Sequence, residues 1–289
     1  MIPILRRELI EQLRTNKSIL LQILMAMVFA ILIIARWPTD SQSDLSGLAS
    51  RQVLRLFGYG LLTVIALLVP SFPATTIIRE KIKGTLALLF NSPIRPLGIY
   101  AGKFFGVFLI VMILLSTSLP AAGACYAMGG VSLEGEIIPL YLILITASVQ
   151  FIMLGLVVST YANSTDSALR MTYGLVLLIM VIVMGPYQLF QSDAGALKDV
   201  SGWLRCISPI PATMEVLGQK DTGLSGFQAS YSAINRYFIL AGSSCLIMFF
   251  LTLTRLNYRI FDRSRSAGVI TDDRSKVAKR FRFFFYPWC

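Results

Sequence analysis

Few residues in this chain are equipped for chemistry. It contains no histidine, which rules out a Ser-His-Asp relay, His-ligated zinc and imidazole proton transfer. The four cysteines, Cys125, Cys206, Cys245 and Cys289, stand far apart with no C-x-x-C pair. A thiolate metal cluster is thereby disfavoured, and the cysteines read as small apolar packing residues rather than as a disulfide. Gly98, Gly102 and Lys103 have the outline of a phosphate loop. That outline is one residue short, and Phe104 occupies the place of the Ser or Thr that would hold magnesium. No cluster of carboxylates offers magnesium ligands either. The chain is therefore expected to be no enzyme and to bind no cofactor or metal of its own.

The elements that position these residues are membrane helices. Of 289 residues, 55% are apolar and 14% charged, against about 25% charged in an ordinary soluble domain. Six stretches are free of charge: Ser18 to Ala35, Phe57 to Ile78, Phe104 to Met128, Ile137 to Thr160, Met171 to Phe190 and Tyr237 to Thr254. Each, as a helix, is long enough for a hydrocarbon core of about 30 Å, with modest tilt or thinning. The expected fold is an all-α polytopic membrane protein of six transmembrane helices. No charge falls deep in any span, and Gln150 is the one strongly polar side chain near a span centre. An ion-driven carrier, a proton pump or an intramembrane enzyme would place ionisable groups there.

Orientation follows from lysine and arginine. With both termini cytoplasmic, 19 of the 26 basic residues fall on the inner side, as the positive-inside rule requires. Arg51 and Arg55 point the other way and are outvoted. The first span exceeds a signal core and lacks a small-residue cleavage pattern, so it is expected to stay in the membrane. Ahead of it, Ile2, Leu5, Leu9 and Leu13 recur at three- and four-residue spacing among charges, which predicts an amphipathic interfacial helix over residues 1–17. The spans then fill residues 18–254, and a basic cytoplasmic tail follows over 255–289, its aromatic residues and charge suited to anionic lipid. Prolines at 70, 73, 120, 139 and 186 permit kinks. Gly98, Gly102 and Gly106 suit close helix approach.

Two loops carry the machinery. Residues 79–103 form the longest inner loop, in which Gly84 allows a change of direction, Thr85 can cap a helix, and Leu86 to Phe90 is an apolar turn closed by Asn91-Ser92-Pro93. Such a turn on the cytoplasmic face calls for a partner groove. Residues 191–236 form the longest outer loop. Within it, Trp203 to Pro211 is too apolar for a free loop and too broken to span. It reads equally as a re-entrant element or as a linker anchored at the headgroups by Trp203.

The inner loop resembles the signature of type-two (ABC-2) permeases of ATP-binding-cassette transporters. A glutamate among basic residues precedes Gly-Thr-Leu, two further leucines, a proline and a later Gly-Lys. Here these are Glu80, Gly84, Thr85, Leu86, Leu88, Leu89, Pro93, Gly102 and Lys103. The resemblance covers residues 2 to about 255. It implies an exporter subunit, forming a homodimer or heterodimer in the lipid bilayer of a bacterial inner membrane, with no nucleic-acid partner. It implies a coupling helix at Leu86 to Phe90 that docks on separate ABC ATPase subunits, which bind the ATP and magnesium. It also implies an outer gate, to which Trp203, Ile207, Pro209 and Met214 belong. The basic residues around Glu80 depart from the more acidic run of the family. The alternative is a structural or regulatory membrane subunit without a pathway of its own.

Overall fold

The computed structural model describes residues 16–35, 48–82, 96–190, 196–218 and 233–266. The expected interfacial helix at 1–17 lies almost wholly outside the described residues, as do residues 83–95 of the expected inner loop 79–103, residues 191–195 and 219–232 of the outer loop 191–236, and residues 267–289 of the tail 255–289. Among those described, every regular element is helical: α1 (Asn16–Ala35), α2 (Leu48–Leu68), α3 (Ser71–Ile82), α4 (Pro96–Ala127), α5 (Ile138–Tyr161), α6 (Thr165–Met180), α7 (Gly185–Phe190), α8 (Ala196–Arg205), α9 (Pro209–Val216) and α10 (Ala233–Ser266). A π-turn at Leu133–Ile137 leads into α5, and a 3-10 turn at Ile182–Met184 separates α6 from α7.

Five stretches are long and apolar enough to cross a membrane: Ser50–Glu80, Leu97–Ala127, Leu133–Tyr161, Thr165–Tyr187 and Ala233–Leu256. The chain is a polytopic helical membrane protein. In α1, Gln22–Ala35 is a shorter apolar stretch. Its Met25, Phe29 and Ile33 pack inward while Leu20, Leu24, Met27, Ile31 and Ile34 face out. That outer face is apolar, as a helix against lipid requires.

Helix α5 is the axis of the bundle, touching α2, α3, α4, α6, α9 and α10. Its Ile143, Ala147, Phe151 and Leu154 lie in the core. Small residues let neighbours approach. A Cβ on Gly155 would come 2.6 Å from Pro73 Cγ and 3.2 Å from the Ala74 nitrogen, so only glycine admits α3 at this distance. Glycines also turn the chain after α4, where Gly129 and Gly130 have φ of 81° and 80°.

Prolines matter more than the sequence reading allowed. The stretch Phe57 to Ile78 is interrupted at Val69-Pro70, between α2 and α3, and Met171 to Phe190 is interrupted at 181–184, ahead of Gly185-Pro186. A proline lacks the N–H that would continue the ladder. At the first break Ser71 Oγ donates to the Leu68 carbonyl at 2.7 Å, satisfying a group freed there. Pro120 leaves α4 continuous, and Pro139 sits in the first turn of α5, where its missing donor costs nothing. Helix α10 does not stop near Thr254 but runs to Ser266.

Candidate functional site

The bundle has two ends with different chemistry. We call proximal the end where α3 stops and α4 starts, and distal the end that carries α8 and α9.

At the proximal end, Lys103 Nζ lies 3.0 Å from Glu80 Oε2, with side chains 1% and 10% exposed. This ion pair joins α3 to α4 on either side of residues 83–95. The stretch that contains Gly84, Thr85, Leu86, Leu88, Leu89, Phe90 and Pro93 lies outside the described residues, so of the expected coupling positions the structure places Glu80. The carboxylate faces Lys103 within the chain. Neighbouring contacts tie α3, α4, α5 and α10 together at this end. Ser159 Oγ on α5 accepts from the Ile77 and Ile78 nitrogens, each at 3.2 Å. Tyr100 meets Phe249 edge to face with centroids 5.2 Å apart, and Arg255 stacks over Tyr161 at 4.8 Å. A buried charge pair is all-or-none, because either charge alone loses its water without compensation. The sequence presents Glu80 and Lys103 as two motif positions; their pairing across the loop is invisible without the fold.

At the distal end, α8 and α9 are joined by a buried turn, with Cys206 2% and Ser208 0% exposed; α8 packs on α7, and α9 packs on α5 and α10. Ser208 Oγ donates to the Met180 carbonyl at 3.2 Å, reaching the last residue of α6. Pro209 is buried, Ile207 and Met214 are half-buried, and Trp203 is exposed. The four expected gate positions thus lie along α8, the turn and α9.

Helix α8 is inverted relative to a helix on a soluble protein. Leu197, Val200, Trp203 and Leu204 face outward while Ser201 and Arg205 are buried. Arg205 Cζ sits 3.6 Å over the Tyr187 ring of α7, and Arg236 Cζ of α10 sits 4.9 Å over the Trp203 ring. Burial weakens the hold of Arg205 on its proton, Tyr187 and Cys206 support it, and Arg236 opposes it. Burial likewise pushes the Cys206 thiol up, against the pull of Arg205 and Arg236.

Two more arginines secure this end. Arg55 donates through Nε to the Leu217 carbonyl at 2.9 Å and through Nη2 to the Gly218 carbonyl at 3.1 Å. Arg51 Nε donates to the Gly130 carbonyl at 3.2 Å and lies 3.9 Å from Glu136. Glu215 accepts from the Ile234 nitrogen at 3.2 Å, tying α9 to the start of α10. Arg205, Arg236 and Tyr187 were missed in the sequence. The one available signal was an arginine inside the apolar run from Trp203 to Pro211.

Between the ends the chain is apolar with neutral polar ties. Gln150, fully buried, donates through Nε2 to Ser244 Oγ at 3.3 Å, joining α5 to α10. Ser118 and Tyr141 share a hydrogen bond of 2.7 Å between α4 and α5. Cys125, Cys206 and Cys245 are free thiols. No group of three His, Cys, Asp or Glu residues comes together among the described residues.

A comparison with curated proteins gave no match. A comparison with protein families matched residues 2–264 to the family described as "ABC-2 family transporter protein". A membrane-spanning helical bundle matched over nearly its whole length in this way is a membrane component of an ABC transporter, and the chain belongs to the ABC-2 transporter family.

Proposed function

We propose that this chain is the permease subunit of an ABC exporter, coupled through residues 79–103 to separate ATPase subunits that carry the ATP and magnesium. In this reading the proximal end is cytoplasmic, α1 is the first of six spans, and both termini lie inside. The observation that carries the reading is the Glu80–Lys103 pair. It braces the two helices that lead into and out of the expected coupling segment, so a push on that segment is delivered to α3 and α4 together rather than absorbed by a loose loop. Leu86, Leu88, Leu89 and Phe90 fill the ATPase groove, Gly84 and Thr85 start the coupling helix, and Pro93 closes it.

The segment α8–turn–α9, with Trp203, Ile207, Pro209 and Met214, covers the external mouth. The pathway lies between two copies, or between this chain and a related one, in a bacterial inner membrane. The outward apolar faces of α1, α6 and α10 are consistent with contacts to lipid and to a second permease. With no charge at mid-depth in the described spans, an amphipathic or lipidic cargo suits the pathway better than a small ion.

Purification in mild detergent, with identification of the proteins that accompany the chain, tests the reading. An ATP-binding subunit in fixed proportion, with measurable ATP hydrolysis, is expected. A chain that purifies alone from cells expressing its transport partners would contradict it.

A further inference from the structure

We propose that the junction Leu68–Ser71 is a hinge between α2 and α3, and that the Tyr173 hydroxyl of α6 is the latch that fixes its angle. Pro70 and Pro73 have no N–H, so the helical ladder supplies no donor to the Ala66 and Val69 carbonyls. The two carbonyls between them are taken by hydroxyls. Ser71 Oγ donates to the Leu68 carbonyl, and Tyr173 Oη donates to the Leu67 carbonyl at 2.6 Å. Just beyond the junction, Thr76 Oγ1 donates to the Pro73 carbonyl of its own helix at 3.0 Å. Hydroxyls that bond back in this way favour bending.

The helices on either side of the junction are held differently. Helix α3 packs on α5, α6 and α4. Its contacts are close and buried: Pro73 against Gly155, the Ile77 and Ile78 nitrogens on Ser159, and Glu80 on Lys103. Helix α2 packs on α1, α4 and α5, and its distal turns are held by the bonds of Arg51 and Arg55 to carbonyls. At Gly58 its nearest neighbours are the methyl ends of Leu217 and Leu140. Helix α2 is therefore the piece that swings, while α3, α5 and α6 stay together.

Tyr173 crosses that divide. It stands on α6, which packs on α3 and α5, yet its hydroxyl bonds the last turn of α2. The bond lies at the pivot, and 13 residues separate Leu68 from Arg55, about 20 Å of helix. A small tilt at the junction is thus magnified at the distal contacts. Leu67 lies near the middle of the span Ser50–Glu80, where a carbonyl released by Tyr173 meets no water. The latched arrangement is favoured, and the swung one is a minor state whose population the hydroxyl sets.

The test uses the full chain in mild detergent without an ATPase, so it stands apart from the transport reading. The four cysteines are replaced by alanine, and spin labels are introduced in pairs for double electron–electron resonance. Leu56 on α2 with Leu177 on α6 spans the hinge; Leu142 on α5 with Leu177 does not, and all three positions are exposed. The unlatched variant Tyr173→Phe keeps the ring and removes the hydroxyl. It should raise the population at a second Leu56–Leu177 distance about fivefold over the parent, the scale of one hydrogen bond, and leave Leu142–Leu177 as it was. Thr63→Val removes a hydroxyl whose bond, to the Tyr59 carbonyl, stays within α2, and should change neither pair. Pro70→Ala restores an N–H at the junction and should suppress the second distance in the Tyr173→Phe chain. An unchanged Leu56–Leu177 distribution in Tyr173→Phe would overturn the latch. Equal broadening of both pairs, or a second distance that persists with Pro70→Ala, would overturn the hinge.

Discussion

The proximal and distal ends of the bundle are both fastened by charged side chains, but in opposite ways. At the proximal end opposite charges meet directly, Glu80 on Lys103, and both are removed from water. At the distal end arginines lie on aromatic rings and on the carbonyls of Leu217, Gly218 and Gly130. Parting a buried ion pair leaves a charge without water or partner, which costs several kcal/mol. Parting an arginine from a ring or a carbonyl costs about 1–2 kcal/mol. The end proposed to receive force is therefore rigid at its base, and the end proposed to open is held by contacts that can be exchanged.

Breaking the proximal pair should have the largest effect on stability. Lys103→Met takes the Lys103 charge away from the buried Glu80 carboxylate and should cost about 3–5 kcal/mol, read as a lower melting temperature and yield. The double variant Glu80→Gln with Lys103→Met should recover most of that loss. If the single and double variants melt alike, the pair is not the brace described here.

Gly155→Ala drives a methyl group into Pro73 and Ala74 and should cost about 1–3 kcal/mol through overpacking. Gly174→Ala, where a Cβ meets nothing within 4 Å, is the matched control and should melt as wild type does.

The distal contacts should be weaker and show in access rather than in melting. Arg55→Gln frees the Leu217 and Gly218 carbonyls just after α9, a loss of about 1 kcal/mol. Cys206 reports the result. Burial raises its pKa, so the thiolate that reacts with alkylating reagents is scarcer than on an exposed cysteine at the same pH. Its labelling should climb only at higher pH than that of a free thiol, and Arg55→Gln should accelerate it. Unchanged labelling would show that Arg55 does not hold this end closed. A comparably small loss, about 1 kcal/mol, is expected from Ser118→Ala, which takes the hydroxyl away from Tyr141 and from the Leu115 carbonyl.

The spans were legible because a charge-free run obeys one strong constraint. Ile137 to Thr160 falls almost on α5, and Phe104 to Met128 lies on α4, which starts earlier, at Pro96, within the expected inner loop, since a helix satisfies its own backbone in lipid. The interruptions at 69–70 and 181–184 were not legible, because proline is compatible with both kinked and continuous spans: Pro120 leaves α4 unbroken, whereas Pro70 does not. The end of α10 was hidden because a helix leaving the membrane keeps its hydrogen bonds while its side chains turn polar. Arg51 and Arg55, which argue against the orientation when counted as charges, have a local task as clamps on carbonyls. The site residues divide the same way. Glu80 and Lys103 stood out as motif positions, but pairing across the loop and stacking of Arg205 on Tyr187 are tertiary facts with no sequence period to announce them.

The central claim is that residues 79–103 couple this chain to an ATPase, and Leu88→Asp tests it most directly. If the leucines of that segment fill a groove on the partner, an aspartate there desolvates a charge without compensation, at a cost of several kcal/mol and orders of magnitude in affinity. The variant should still insert, since the change lies outside the spans. The measurement is recovery of the ATPase subunit with Leu88→Asp, set against Gln42→Ala in the loop between α1 and α2. Loss of the ATPase from Leu88→Asp alone is the predicted result; equal recovery from both would contradict the account.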